Sequence, residues 1–497
     1  MGPTPLPSPP NLRTNMMTLP FYVWPTLWTA LGGFLWGYDT GSVGPITVMA
    51  QFEKDFGHIS ATVQGLFVSA IIATAALSSI FSGALSERIS RTYTISLGSF
   101  IFAAGAAIAA SANTLAQIFV GRCVSGFGEG IFISSITVYV MEISPTAMRG
   151  RTMTTVQLFN TLGVAAGYFT CFGSVKYHSS IAWRAPLIVQ AAVAMALAVV
   201  TPFFPHSPHW LLSVGRVAEA EKATTRLGLH VTEIRKEGEL AAGDAAAEIA
   251  KLSPWQQVKE LWAKDVRFRT FFALFLMSMQ QACGIDAVLY YAPTLFQQAG
   301  LSSTEASFLA SGVSGILMVV CTASSQVFQD KWPRRKQMIG GGIVIGGCML
   351  LMGTLYATNA AHTTGGKRTL IALIYIFIAA FVTSWAVVIR VISSEMQPKR
   401  TRAPASSLAQ CVGWAVNWVI AFSTPLFLSR STAGPYFLFG GCSVLTVLVC
   451  FVWQPETKGL SLDALEKKFE ETEVQSAIRK LFSKPGRIVT SIQLSNM

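Results

Sequence analysis

Residues 280–293 read QQACGIDAVLYYAP, placing two amides, a carboxylate and two phenols inside an otherwise apolar run. A lone acid at the centre of a membrane helix costs about 2.5–3.5 kcal/mol on insertion scales, so such residues persist where something offsets that cost. Glutamine amides both donate and accept hydrogen bonds with no charge to desolvate, which is what a solute covered in hydroxyls requires. Gln280, Gln281, Tyr290 and Tyr291 offer that chemistry here, and Gln157 offers another amide in an earlier apolar run. In a straight helix Gln280, Gly284 and Tyr291 share one stripe, whereas Asp286 points about 120° away from Gln280. Either the helix breaks near Gly284 or its polar residues serve two surfaces; a break is the favoured reading. The plainer alternative is that the amides join helices by interhelical hydrogen bonds of about 0.6 kcal/mol each.

Asp39, within GYDTG, and Arg122, at the start of a later apolar run, raise a different chemistry. A membrane carboxylate beside an arginine can exchange that partner for a proton, so its protonation follows conformation and solute movement becomes linked to proton flow. A static structural pair is the other reading. Glu129 lies seven residues beyond Arg122, almost on the same helical face; it reads as a partner for Arg122, with a second proton site as the alternative. Nothing points to enzymatic catalysis, because no nucleophile motif, phosphate loop or metal-ligand set is present. The eight cysteines fall almost entirely in apolar runs with no CxxC pair, so neither disulfides nor a metal or other cofactor is expected.

The elements that must position these groups are membrane helices. The chain has 497 residues, 52% hydrophobic and 12% charged, against about 25% charged in soluble proteins. Runs of about 20 residues, enough to cross a bilayer, fall near 24–48, 62–84, 93–111, 116–140, 153–174, 185–204, 270–296, 305–328, 337–357, 370–394, 404–429 and 434–453. These twelve predict an all-α membrane protein. The longest polar stretch divides them into a tail 1–20, a six-helix bundle 21–204, a linker 205–268, a second bundle 269–453 and a tail 454–497. The Pro-rich N-terminus lacks the pattern of a cleaved secretory signal. Lysines and arginines gather in the linker, the C-terminal tail and alternate loops, which predicts that both termini and the linker are cytoplasmic. That placement accounts for the net charge of +12 without a nucleic-acid partner.

The chain also repeats itself. Glu142, Pro145 and Arg149 follow the fourth span, and Glu395, Pro398 and Arg402 follow the tenth with the same spacing. SERISRT, with Arg91, is echoed by QDKWPRRK, with Arg334 and Arg335, and PHSPHWL is echoed by PETKGLSL. Three echoes in register imply two parallel copies of one six-helix unit.

Together with GGFLWGYDTG (Gly32 to Gly41), GRCVSGFGEG (Gly121 to Gly130), RGRTMTTVQ ending at Gln157, QQACGIDAVLYY and PETKG (Pro455 to Gly459), these motifs make the chain resemble the sugar porters of the major facilitator superfamily, most closely fungal ones. The resemblance runs from Gly32 to Gly459. It implies two pseudo-symmetric six-helix bundles that alternate access to one mid-membrane site. It implies sugar-lining roles for Gln157, Gln280, Gln281, Trp414 and Asn417, and proton symport through Asp39. Arg91, Glu142, Arg149, Arg335, Glu395, Arg400 and Arg402 correspond to charge networks that tie helix ends when the inner gate is closed.

Several positions depart from the family. Asp286 stands where an Asn is usual and Arg390 where a stacking Trp is usual; two opposite charges brought to one cavity predict an Asp286–Arg390 ion pair, either reshaping the pocket or orienting Arg390 toward a substrate carboxylate. Glu129 replaces a small or apolar residue. His206 and His209 replace a Glu and an Arg, which reads as a weakened latch. The expected function is a secondary active transporter of a sugar, polyol or related polyhydroxy acid, driven by protons. It has the lipid bilayer and a small solute as partners, no obligate protein partner, and the plasma membrane as its site. An exporter of a fungal metabolite and a non-transporting nutrient sensor are the alternatives, the short C-terminal tail counting against the sensor.

Overall fold

The computed structural model describes residues 20–145, 148–229, 256, 259–264, 266–301, 303–328, 332–398 and 401–456. The first nineteen residues, residues 230–255 of the linker, Arg400 and the chain beyond Glu456 lie outside it. Among the described residues there are helices and no strands.

Twelve helical spans emerge. Span one is Val23–Thr29 continued by Leu31–Thr47; spans two to six are Ala61–Ile89, Arg91–Ala110, Leu115–Glu142, Arg149–Ser174 and Ile181–Val200. Span seven comprises Arg267–Ala282, Ile285–Tyr290 and Ala292–Gln298; spans eight and nine are Thr304–Phe328 and Arg334–Ala357. Span ten is divided into Thr364–Thr383 and Trp385–Glu395, and Arg402–Arg430 and Gly434–Trp453 complete the set. Ten of these elements meet simple length and hydropathy requirements for crossing a membrane. Side-chain oxygens start several: Ser60, Thr114 and Thr363 accept from the backbone N–H three residues on, satisfying donors that lack an intrahelical partner. Large apolar side chains such as Phe81, Phe271 and Phe451 stand exposed on the outside of the spans, the surface that lipid covers.

Two large apolar clusters form the cores, one within spans one to six and one within spans seven to twelve. Tyr290, Tyr291 and Trp414 from the second half pack into the first cluster. The halves meet mainly away from the charge motifs. Gly44 lets span one approach the Tyr290 carbonyl, Gly65 brings span two against Phe422 of span eleven, and Gly315 brings span eight against Ala165 of span five. The Tyr168 hydroxyl donates across to the Leu289 carbonyl. At the motif end, Gln326 donates to the Thr154 carbonyl at 3.2 Å.

Span seven breaks where the sequence suggests. Gly284 has φ of +86°, a left-handed conformation that a side chain makes costly, and a Cβ there would run into the Phe439 ring. Both effects act on Gly284→Ala. The variant is expected to lose roughly 1–3 kcal/mol, read as a lower unfolding midpoint in detergent; an unchanged midpoint would show that the break is not enforced at this residue.

Candidate substrate and proton sites

Arg122 of span four reaches Asp39 of span one through two parallel hydrogen bonds of 3.1 and 3.2 Å, with side-chain exposures of 3% and 5%. A bidentate fork is the geometry in which a guanidinium best repays its own burial. Arg122 also donates to the Val68 carbonyl at 3.4 Å and lies 4.9 Å over the Phe67 ring, while its Nε has no hydrogen-bond partner. Gln190 of span six donates to Asp39 and to Ser42, each at 3.2 Å. Gln190 was not anticipated from the sequence, although an amide inside IVQAAVAMALAVV was the available signal.

Glu129 does not fill the role of partner to Arg122. It is buried, its Oε2 has no hydrogen-bond partner, and the guanidinium is committed to Asp39. Asp39 approaches Arg122 from the neighbouring span and takes both terminal nitrogens, while Glu129 stands about 10.5 Å of rise further along the helix.

The break at Gly284 puts Asp286 in the first turn of a new helix segment, and the break at Ser384 starts the segment that carries Arg390. The expected Asp286–Arg390 ion pair does not form: the two groups feel each other's charge without touching. The Arg390 guanidinium instead lies 5.8 Å from the Trp36 ring centre, and its Nε has no partner. Trp36 in turn packs 5.6 Å from Trp414. Cation–π attraction to a ring on the opposite bundle thus holds the guanidinium where the acid cannot reach it. Trp36 lies inside the GGFLWGYDTG motif, yet its type alone does not distinguish it from a packing residue.

The other expected site residues divide. Gln280 donates to the Trp385 carbonyl at 2.9 Å and the Ala386 carbonyl at 3.3 Å, in the first turn after the span-ten break, while its Oε1 keeps no partner. Tyr291 donates to the Ala421 carbonyl at 2.7 Å, so both make the interhelical contacts of the plainer reading. Tyr290 is buried beside Asn417, whose Oδ1 has no partner. Gln281, Asp286 and Arg390 are half-buried. Gln157 is also half-buried and bonds only Asn160, at 3.5 Å. Asn160 reaches the Gly33 carbonyl, and no direct bond links Gln157 to Gln280.

At the motif end, Arg91 closes bidentately on Glu142 at 3.0 and 3.1 Å. The repeat-related pair is Arg334 with Glu395, at 2.9 Å. Arg335 was the residue expected in that role; its Nη2 donates to the Phe451 carbonyl instead. Both pairs lie within one bundle, so they brace each bundle's own helix ends instead of tying the two bundles together. Arg149 donates to the Met141 carbonyl and Arg402 to the Gln397 carbonyl. The His206 substitution is also integrated: its Nδ1 lies 2.8 Å from both Ser90 and Thr92 at the start of span three. In the other half Glu456 accepts from the backbone N–H groups of Arg334 and Arg335 at the start of span nine. Histidine and glutamate therefore hold corresponding helix starts.

Twelve spans in two copies of one unit, with buried charges at mid-span, define a secondary transporter of the major facilitator type and not an enzyme. Residues 26–469 match the model of the "Sugar (and other) transporter" family, and the chain belongs to that family. It is 29% identical to the low-affinity glucose transporter HXT4 of Saccharomyces cerevisiae, covering 90% of this chain and 80% of that one. It is 28% identical to hexose transporter 2 of Kluyveromyces lactis, with 90% and 82% covered. The fold is shared with the xylose transporter XylE of E. coli in a partially occluded inward-open conformation, with a TM-score of 0.74, 20% identity, and 89% and 99% coverage. The structure of that proton:xylose symporter bound to 6-bromo-6-deoxy-D-glucose has a TM-score of 0.71 and 22% identity, with 90% and 99% covered.

Removing Arg122 strands a buried carboxylate. Arg122→Leu is expected to lower stability by about 3–5 kcal/mol, and the Asp39→Leu/Arg122→Leu double variant to recover part of the loss; additive losses would mean that the pair is not coupled. Burial and the nearby Arg216 charge lower the His206 pKa, opposed by Glu219. The folded state therefore binds fewer protons than the unfolded one, and the His206 contribution, complete above pH 6.5, is lost as pH falls through that value toward the folded pKa. Wild type should lose more thermal stability than His206→Gln between pH 7.5 and pH 5.5 (about one unit either side of the unperturbed histidine pKa), and parallel curves would exclude a role for this group.

Proposed function

We propose that the chain moves a neutral polyhydroxy solute, a sugar or polyol, across the membrane by alternating access, coupled to protons through Asp39 and Arg122. The observation that carries the substrate reading is the separation of Asp286 and Arg390. Asp286 and Arg390, each half-buried, feel each other's charge without closing on each other, and Arg390 lies over Trp36 of the Trp36–Trp414 pair. A ligand whose hydroxyls both donate and accept can bridge them, and the site it enters has no net charge from this pair. The glucose and hexose transporters among its relatives support the same class. A carboxylate ligand would meet Arg390 but also the repulsion of Asp286, so polyhydroxy acids rank second.

Proton coupling follows the logic of the buried fork. The fork joins Asp39 to Arg122, and a proton on the carboxylate in place of the guanidinium frees Arg122, so the electrostatic state of span one changes with proton occupancy. No cofactor is needed for this cycle; the proton is the coupling ion. Contacts between bundles gather away from the charge motifs, which supports a state open toward the motif side. The basic residues on that side support a cytoplasmic placement of both termini and import across the plasma membrane.

Uptake in hexose-transport-deficient yeast, with D-glucose, D-xylose, myo-inositol and D-galacturonate tested with and without a protonophore, examines this reading. Concentrative uptake of a neutral member that collapses with protonophore is expected; uptake of galacturonate alone would replace the neutral-solute reading with the acid one. Asp286→Ala should raise KM for the transported sugar by about 10–100-fold, the range of a charged hydrogen bond, while Asp286→Asn, which can still accept, should change it less. Arg390→Trp should alter selectivity within the panel, and an unchanged ranking would remove Arg390 from the site.

A further inference from the structure

Glu129 has no assigned role in the cycle above, and it is the group whose surroundings demand one. It is 3% exposed, its Oε2 is sealed from solvent without a hydrogen-bond partner, and it makes no ion pair. An ionised carboxylate left in that position would carry a desolvation cost of several kcal/mol, with only the charge of Arg122, already closed on Asp39, to set against it. A protonated carboxyl has no such cost. The charged and titratable groups facing it are Asp39 from span one, Arg122 from its own helix and Tyr290 from span seven. Spans two and three bring no acid or base to this depth: Glu87, Arg88, Arg91 and Tyr93 sit at their shared turn. Arg91 binds Glu142, thirteen residues or about 20 Å along span four from Glu129.

We propose that Glu129 is a second proton-binding site of the transporter and the alternative partner of Arg122. In the state seen here Arg122 is closed on Asp39 and Glu129 holds the proton. In the exchanged state the proton resides on Asp39 and Arg122 pairs with the Glu129 carboxylate; one O–H bond breaks, one forms, and total charge is conserved. Glu129 lies within about 20° of the face of Arg122 and about 10.5 Å of rise along the helix, so in the exchanged state the long arginine side chain swings from Asp39 toward the C-terminal end of span four, where the glutamate leans to meet it. Tyr290 stands near both carboxyls, and its hydroxyl can accept a proton from one and donate to the other. Because Tyr290 belongs to the broken span seven, beside Asp286 and Asn417, a solute seated there contacts the group that lies between the two proton sites. The inference rests on the proton-coupling reading for its transport consequence, though not for its protonation test.

The test is infrared spectroscopy of the full-length protein in nanodiscs at neutral pH, following the protonated-carboxyl band. Glu129→Gln should remove a component present in wild type. Asp39→Asn leaves Arg122 without its acid, so Glu129 should ionise and the same component should vanish; Arg122→Gln should retain it. Persistence of the component in Glu129→Gln overturns the protonation, and persistence in Asp39→Asn overturns the exchange of partners. If the amide is not accommodated, Glu129→Leu gives the same reading. In proteoliposomes Glu129→Gln should flatten the pH dependence of D-glucose exchange while leaving exchange itself measurable, and an unchanged pH profile would deny the site a part in transport. Absence of D-glucose exchange in wild type would sink the sugar reading alone, because the infrared result stands independently.

Discussion

A charge placed in low dielectric must find a partner or lose its charge, and that constraint organises this molecule from mid-membrane outward. One guanidinium, Arg122, stands among two carboxyls, Asp39 and Glu129, with Gln190, Ser42 and Tyr290 as polar neighbours. The fork to Asp39 uses both terminal nitrogens, and Gln190 supports the acceptor from a third span. Spans one, four and six are therefore joined by a contact whose strength depends on a single proton. Apolar packing holds the same helices together but cannot switch, because it has no second state of comparable energy.

The broken helices serve a related purpose. A span that stops at Gly284 and restarts leaves backbone groups without intrahelical partners, and such groups are tolerated at membrane depth only where protein or water satisfies them. Gln280 links the two interrupted spans, its amide bonding carbonyls in the first turn after the span-ten break. Spans seven and ten are thus tied close to the segments that carry Asp286 and Arg390. The breaks also set direction. Asp286 leaves the helix axis because the chain turns through a left-handed glycine, and Arg390 is carried toward Trp36 on a segment begun at Ser384.

Much of this was legible in the residues themselves. Twelve apolar runs, their division by a polar linker and the parallel repeat follow from composition and spacing, because lipid permits so few architectures. The break in span seven follows from Asp286 lying off the stripe of Gln280 and Tyr291. Residue type was less informative about partners. Opposite charges at 286 and 390 invite a pair, yet an aromatic ring on the other bundle captures the arginine. Arg334 and Arg335 are indistinguishable in sequence, and helix phase decides which meets Glu395. Gln190 and Trp36 escaped notice because one amide or one indole in an apolar run carries no pattern. These are facts of tertiary approach, set by which glycines allow two backbones to come close.

That approach bears on how the two bundles move. The close glycine contacts, Gly44 at Tyr290, Gly65 at Phe422 and Gly315 at Ala165, lie toward one end, while the ion pairs Arg91–Glu142 and Arg334–Glu395 lie toward the other, each inside its own bundle. A bundle braced internally at one end and fitted against its partner at the other is suited to rocking as a unit. Packed interfaces change between discrete arrangements and do not deform continuously, so a bias of a few kcal/mol at one point can select between them. Tyr290 sits where that bias would be applied. It packs into the apolar core of the first bundle, belongs to the broken helix of the second, and lies beside the acid that Arg122 holds. On the proposed reading, solute contacts on span seven and proton occupancy on spans one and four would meet at a single side chain, with no longer chain of interactions required to couple them.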